Sequence, residues 1–290
     1  MDKLLLHPVT KNQLESYIKQ PAGTVLLAGP AGSGKTSTAK ALISLLLDSD
    51  DEHLAGHPYF FNIQKPEGKS EIPIDDIREL IRKLNLRVPA RPGAVVNRAV
   101  LIEDAHYLSG EAQNALLKLL EEPPAATVLV LTVISEDRIL PTVASRAQRI
   151  TILAPTLAQS LEYYAGFPSR QVESNWRLSR GATGLLSSIL NDSAHPLKLS
   201  VDSAKQFLSQ DQYHRLLALK QIKDKDSYGL FLDSLSRVLV ALQAESIKKG
   251  TRNQKKLLNA RKVLDKAITY QQNNVNNRLI SLMLASSLTL

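Results

Sequence analysis

The residues whose types and spacing carry chemistry lie near the start of the chain. Gly29, Pro30, Ala31, Gly32, Ser33, Gly34, Lys35 and Thr36 match the pattern G-x-x-x-x-G-K-[ST] in full. Such a run cradles the phosphates of a nucleoside triphosphate. Gly32 and Gly34 let the backbone wrap closely enough to aim its N–H groups at phosphate oxygens. A helix opening at Lys35 adds the positive end of its dipole to the same anion. Lys35 brings a mobile charge to the β- and γ-phosphates, and the Thr36 hydroxyl is placed to ligate Mg²⁺.

A phosphate loop of this kind needs a carboxylate from a neighbouring strand for the metal, and often a second one to orient water. Val100-Leu101-Ile102-Glu103-Asp104-Ala105-His106 is the segment that offers both, as an apolar strand ending in two acids. The order is Glu then Asp, the reverse of the usual one. Glu103 is expected at the metal-associated position, one methylene longer than the usual Asp. Asp104 is expected at the water-activating position, one methylene shorter than the usual Glu. A displacement of about 1 Å in a catalytic group costs on the order of 100-fold in rate. The pair therefore favours nucleotide binding over efficient hydrolysis. His106 reads as structural rather than as a general base.

The elements that must position these residues follow from periodicity. Thr24–Ala28 is a buried strand running into the phosphate loop, and Lys35–Leu47 is the helix after it. Further strands are predicted at Tyr59–Ile63, Ala99–Ile102, Thr127–Val133 and Gln148–Leu153. A helix is predicted over Asp75–Leu84, capped by Asp75 or Asp76, and another from a Ser109 cap to about Glu121, where Pro123 and Pro124 stop it. Strands alternating with helices imply an α/β domain with a parallel sheet covered on both faces. After Pro155 the strand signals cease. Residues 157–190 read as a small helical unit, 191–196 as a polar hinge, and the chain from Ser200 as helical, with Leu230, Leu235, Val238, Leu239 and Leu242 in one stripe. The expected domains are 1–155 for nucleotide binding, 156–196 as a helical lid and 197–290 as an all-α oligomerisation domain.

Composition bounds the rest. Hydrophobic residues make up 43% of 290, enough for a proper core, and aromatics only 5%, so that core is mainly aliphatic. The chain has no cysteine, which excludes disulfides and any zinc site with Cys ligands. Its N-terminal apolar run is too short for a signal peptide, and no stretch reaches the roughly 18 apolar residues of a membrane span. A cytoplasmic protein with no membrane contact is expected. The net charge of +8 falls entirely within residues 200–290, where 15 Lys/Arg stand against 7 Asp/Glu. The cluster Lys248, Lys249, Arg252, Lys255 and Lys256 reads as solvated surface.

Two further motifs narrow the class. Residues 109–124 read Ser-Gly-Glu-Ala-Gln-Asn-Ala-Leu-Leu-Lys-Leu-Leu-Glu-Glu-Pro-Pro, and residues 139–146 read Ile-Leu-Pro-Thr-Val-Ala-Ser-Arg. Together with the phosphate loop they resemble bacterial DNA polymerase III clamp-loader subunits of the AAA+ superfamily. The resemblance runs to about residue 190 and returns weakly at 274–279, which looks like the last helix of a collar domain. It implies a hetero-oligomeric ring with other clamp-loader subunits that opens a sliding clamp and places it on primer–template DNA, using ATP and Mg²⁺. It also implies that Arg146 is a trans-acting arginine finger reaching a neighbour's ATP, with Ala147 in place of the family's Cys.

Within that family the departures point to a delta-prime-like subunit. The segment from Leu178 to Leu185 lacks the motor subunits' second-sensor Arg, with Gly184 in its place. The acidic strand end is altered, and the chain carries no long C-terminal tail. The four-Cys zinc module usual after the phosphate-loop helix is missing, and Leu54–Pro58 shortcuts it. The expected activity is at most weak ATP hydrolysis. The alternative, an ATP-hydrolysing motor of the gamma/tau kind, is kept open by the complete phosphate loop.

Overall fold

The computed structural model describes residues 4–21, 23–50, 52–86, 95–192, 194–222, 224–248, 250, 253–273 and 275–288. The chain divides into two compact units, Met1–Leu185 and Leu186–Leu290.

The first unit is built on five parallel strands: β1 (Thr24–Ala28), β2 (Phe60–Ile63), β3 (Arg98–Ile102), β4 (Thr127–Val133) and β5 (Ala147–Thr151), in the order β2-β3-β4-β1-β5. The helices are α1 (Pro8–Lys19), α2 (Lys35–Leu47), α3 (Ile74–Leu84), α4 (Gly110–Glu121), the four-residue α5 (Pro141–Ala144), α6 (Leu157–Tyr163), α7 (Ser169–Ser179) and α8 (Thr183–Asn191), whose last turns pass into the second unit. Every residue of β1, β3 and β4 is buried, which explains why they read as continuous apolar runs rather than alternating ones. Period 2 nonetheless sorts their side chains. Val25, Leu27, Leu101 and Val130 face Leu14 and Tyr17 of α1 and Leu42, Ile43 and Leu47 of α2. Leu26, Val100, Leu129 and Leu131 face Ile77, Leu80 and Leu84 of α3 and Leu116 and Leu120 of α4.

Several boundaries differ from the sequence reading. Helix α3 starts at Ile74 after an N-cap Pro73, so Asp75 and Asp76 sit inside its first turn, where their charge suits the dipole, and neither caps it. Strand β2 begins at Phe60, one residue later than read, and β5 ends at Thr151 rather than Leu153. Helix α1 was not anticipated, although Pro8 at its start and a His7 side chain that accepts from the Val9 N–H are start signals. The expected Ser109 cap is present: its Oγ accepts from the Ala112 N–H at 3.1 Å.

The second unit is helical, with α9 (Pro196–Ser209), α10 (Gln212–Gln221), α11 (Lys225–Lys248), α12 (Gln254–Gln272) and α13 (Asn277–Ser287). In the expected stripe Leu235, Val238 and Leu239 are buried. Leu242 is 37% exposed, and beside it α12 meets α11 through a polar contact, Arg261 to Gln243 at 2.6 Å. Lys249 and Arg252 of the basic cluster lie outside the described residues. No helix among the described residues is long and apolar enough to cross a membrane.

One buried side chain ties the two family-like motifs together. Gln113 of α4, 7% exposed, donates to the Leu108 carbonyl at 3.2 Å and accepts from the Leu140 N–H at 2.7 Å. It thereby fixes the entry to α5, the short helix that leads to Arg146. Replacing Gln113 by Leu takes the partner from the buried Leu108 carbonyl and the half-buried Leu140 N–H, so urea unfolding should show a loss of about 1–3 kcal/mol. An unfolding free energy equal to the parent's would contradict this role.

Candidate functional site

The site begins where β1 stops. Strand β1 lies between β4 and β5, the point at which the strand order reverses, and ligands of open parallel sheets lie at the carboxyl ends of strands at such a point. The chain leaves β1 through Gly29, whose N–H donates to the Val133 carbonyl at 3.1 Å, and re-enters regular structure at α2. Gly32 has φ +74° and Gly34 has φ +84°; Gly34 is the N-cap of α2 and offers no side chain to close it. Both glycines are therefore required by backbone conformation, and the open N-terminus of α2 faces the loop.

Lys35 is 6% exposed, and its ammonium donates to the Gly29 carbonyl at 2.9 Å and the Pro30 carbonyl at 3.0 Å. Burial draws it below the ordinary lysine range, and the charge of Asp104 opposes that shift. Ser33 is 5% exposed, and its Oγ is buried with no protein hydrogen-bond partner. Thr36 is half-buried, while Pro30, Ala31 and Gly32 are exposed. A hydroxyl without a protein partner, two left-handed glycines, a helix N-terminus and an ammonium fit a phosphate group as ligand.

The two acids at the end of β3 part company. Glu103 accepts from Asn62 Nδ2 at 2.9 Å and pairs with Lys40 Nζ at 3.2 Å, with its side chain only 17% exposed. Its carboxylate is thus engaged by β2 and α2. Asp104 adopts φ +47°, its N–H donates to Thr132 Oγ1 at 2.8 Å, and its charge acts on Lys35. Glu103, expected at the metal, is thus held by Lys40 and Asn62, while the charge of Asp104 acts on Lys35. The left-handed backbone at Asp104, just beyond β3, turns the chain away from the extended course of the strand. Among the described residues no three His, Cys, Asp or Glu side chains come together as a metal cluster.

Arg146 follows α5. Its Nε donates to Glu121 Oε1 at 2.8 Å, Nη2 approaches the same oxygen at 2.5 Å, and Nη1 donates to the Thr142 carbonyl at 2.8 Å. The guanidinium is held at the surface by its own chain, 34% exposed, with N–H groups left on its outer edge. Gly184 lies close against the loop: a Cβ there would stand 3.0 Å from the Gly32 oxygen and 3.2 Å from the Gly34 nitrogen, so a side chain would press on the loop backbone.

Comparison with known proteins agrees with this architecture. Residues 7–156, just over half of the chain, match the family model described as DNA polymerase III, delta subunit. The chain belongs to that family. Among curated relatives it is similar to DNA polymerase III subunit delta' of Pseudomonas aeruginosa, 34% identical over 50% of this chain and 48% of that protein. It is also similar to subunit delta' of Escherichia coli, 37% identical over 44% of this chain and 38% of that one, and to subunit tau of Bacillus subtilis, 33% identical over 43% and 23%. These matches span less than half the length of each relative. A crystal structure of a DNA polymerase III gamma subunit-related protein from Thermotoga maritima aligns over 96% of this chain and 97% of that one, with TM-score 0.50 and 20% identity, a likeness of fold. The resemblance to delta-prime-like clamp-loader subunits and the expected α/β fold with a parallel sheet and a helical C-terminal part are both borne out.

Sequence reasoning did not find Asn62, Lys40 or Thr132, which decide where the acids go; each is an ordinary polar residue until the strands are aligned. His106 sits beside this group. Both of its ring nitrogens are buried without a protein partner, and burial lowers its pKa, with Asp104 opposing and Lys35 and Arg138 reinforcing. Its folded value is depressed, so its contribution to stability is present above the unfolded value of about 6.5 and is lost as pH falls through the folded one. An NMR titration of the His106 ring should give a midpoint below 6.5; a midpoint at or above that value would contradict the burial argument.

Proposed function

We propose that this chain is a delta-prime-like subunit of a DNA polymerase III clamp loader, acting in the cytoplasm. It binds ATP with Mg²⁺ through Gly29–Thr36, takes its place in a hetero-oligomeric ring and helps load the sliding clamp onto primer–template DNA. In this reading residues 1–155 form the nucleotide-binding domain, 156–196 the lid and 197–290 the oligomerisation collar. The observation that carries the reading is the intact phosphate loop, with its glycines at positive φ, Lys35 anchored on loop carbonyls and the Ser33 hydroxyl without a partner.

The parts divide between binding and turnover. The loop amides and Lys35 hold the phosphates, and Thr36 supports the cation. Magnesium, when bound with the nucleotide, neutralises phosphate charge. Asp104 is the acid oriented to that charge, but it is short for activating water. Glu103 is engaged by Lys40 and Asn62, and position 184 carries a glycine packed closely on the loop in place of an arginine. Binding with little hydrolysis follows. Arg146 is then offered to a neighbour's nucleotide, its planar fork suited to phosphate oxygens. The second reading, a hydrolysing motor subunit, is favoured by the completeness of the phosphate loop.

Lys35→Ala deletes a charge-assisted contact and should weaken ATP binding at least ~10-fold in isothermal titration. Equal affinities would defeat the nucleotide-binding reading. In a ring reconstituted with partner subunits, Arg146→Ala should leave this chain's own ATP affinity intact and lower the complex's DNA-stimulated ATPase severalfold, with Arg146→Lys a poor rescue. Unchanged turnover in an intact ring would make Arg146 a surface residue.

A further inference from the structure

The start of α8 is packed against the phosphate loop. The Thr183 hydroxyl donates to the Ser33 carbonyl at 2.8 Å, and the Leu185 N–H donates to the Gly32 carbonyl at 2.9 Å. Between them Gly184 lies in backbone contact with the loop, where an added Cβ would meet Gly32 O at 3.0 Å, Gly34 N at 3.2 Å and Gly34 Cα at 3.3 Å. The fit is mutual. A Cβ on Gly34 would stand 3.0 Å from Thr183 Oγ1, and one on Gly32 3.0 Å from the Leu185 Cβ.

We propose that Thr183, Gly184 and Leu185 are positioning residues that latch the phosphate loop in the shape that accepts a nucleoside triphosphate. In a planar trans peptide the C=O and the following N–H point in opposite directions, and none of the described peptide bonds is cis. Holding the Gly32 carbonyl therefore sets the direction of the Ser33 N–H, which donates across the loop to the Pro30 carbonyl at 3.2 Å. Holding the Ser33 carbonyl sets the direction of the Gly34 N–H, at the mouth of α2. A stretch with three glycines among six residues loses much conformational entropy when ordered, and a latch that orders it before the ligand arrives removes that cost from binding. Where a motor subunit carries an arginine at this point, this chain gives the space to backbone contact. The proposal rests on the reading of Gly29–Thr36 as a nucleotide site.

The test uses the full chain and two readouts. Hydrogen–deuterium exchange of peptides covering residues 29–37 is measured without nucleotide, and ATP–Mg²⁺ affinity is measured by isothermal titration. Thr183→Val removes one hydrogen bond while keeping the shape. It should raise exchange in the loop and weaken ATP binding about fivefold, and Thr183→Ser should restore both. Gly184→Ala should exceed Thr183→Val in both readouts; if it does not fold, as judged by its melting curve, the Thr183 pair decides. Parental exchange in Thr183→Val, with ATP still bound at parental affinity, overturns the latch and leaves the nucleotide site standing. Faster exchange with unchanged ATP affinity overturns the role of the latch in binding. A parent chain that binds ATP no better than Lys35→Ala overturns the nucleotide site, and the latch falls with it.

Discussion

Strand β1 is the constraint on which the rest of the first unit depends. It is buried along its whole length between β4 and β5, and it must end at the reversal of strand order, where helices cannot cover the sheet edge-on. The chain leaving it has six residues, 29–34, in which to turn and expose amides before α2 starts. The positive φ at positions 32 and 34 favours glycine, and an aliphatic core on each face of the sheet holds both ends of the turn in place. The site is thus a product of sheet packing, with side chains adding charge to a geometry the backbone supplies.

Around that loop electrostatics distributes the carboxylates. Lys40 and Asn62 draw Glu103 toward α2 and β2, and Thr132 holds the turn at Asp104, whose charge acts on Lys35. A buried ammonium requires a nearby negative charge, and Asp104 supplies one within the chain. The same logic accounts for His106: with Lys35 and Arg138 acting on it and its ring buried, the neutral imidazole is favoured. At the other end of α4, Arg146 is paired with Glu121, an exposed contact worth little to stability.

Much of this was legible in the sequence, for identifiable reasons. The strands of the sheet centre are continuous apolar runs bounded by turn residues, and β1 and β4 were located to the residue. The phosphate loop is a local motif, so its glycines and Lys35 needed no tertiary information. The helix from Ser109 was legible because a cap and a proline pair bracket it. The failures were of another kind. Helix α1 has a weakly patterned surface and packs through a few positions such as Leu14 and Tyr17. The divergence of Glu103 from Asp104 depends on β2 and α2, distant in sequence. The contact between Gly184 and the loop spans about 150 residues of chain, and only the absence of an arginine hinted at it.

The central claim is that this chain holds a triphosphate it does not readily cleave. A direct measurement is to mix the purified chain with ATP and Mg²⁺, remove free nucleotide, and identify what remains bound over time. The account predicts about one equivalent of bound nucleotide, recovered as intact ATP and converted far more slowly than the ~1 s⁻¹ of an ordinary enzyme. Recovery of ADP formed at that rate, or of no nucleotide at all, would contradict it.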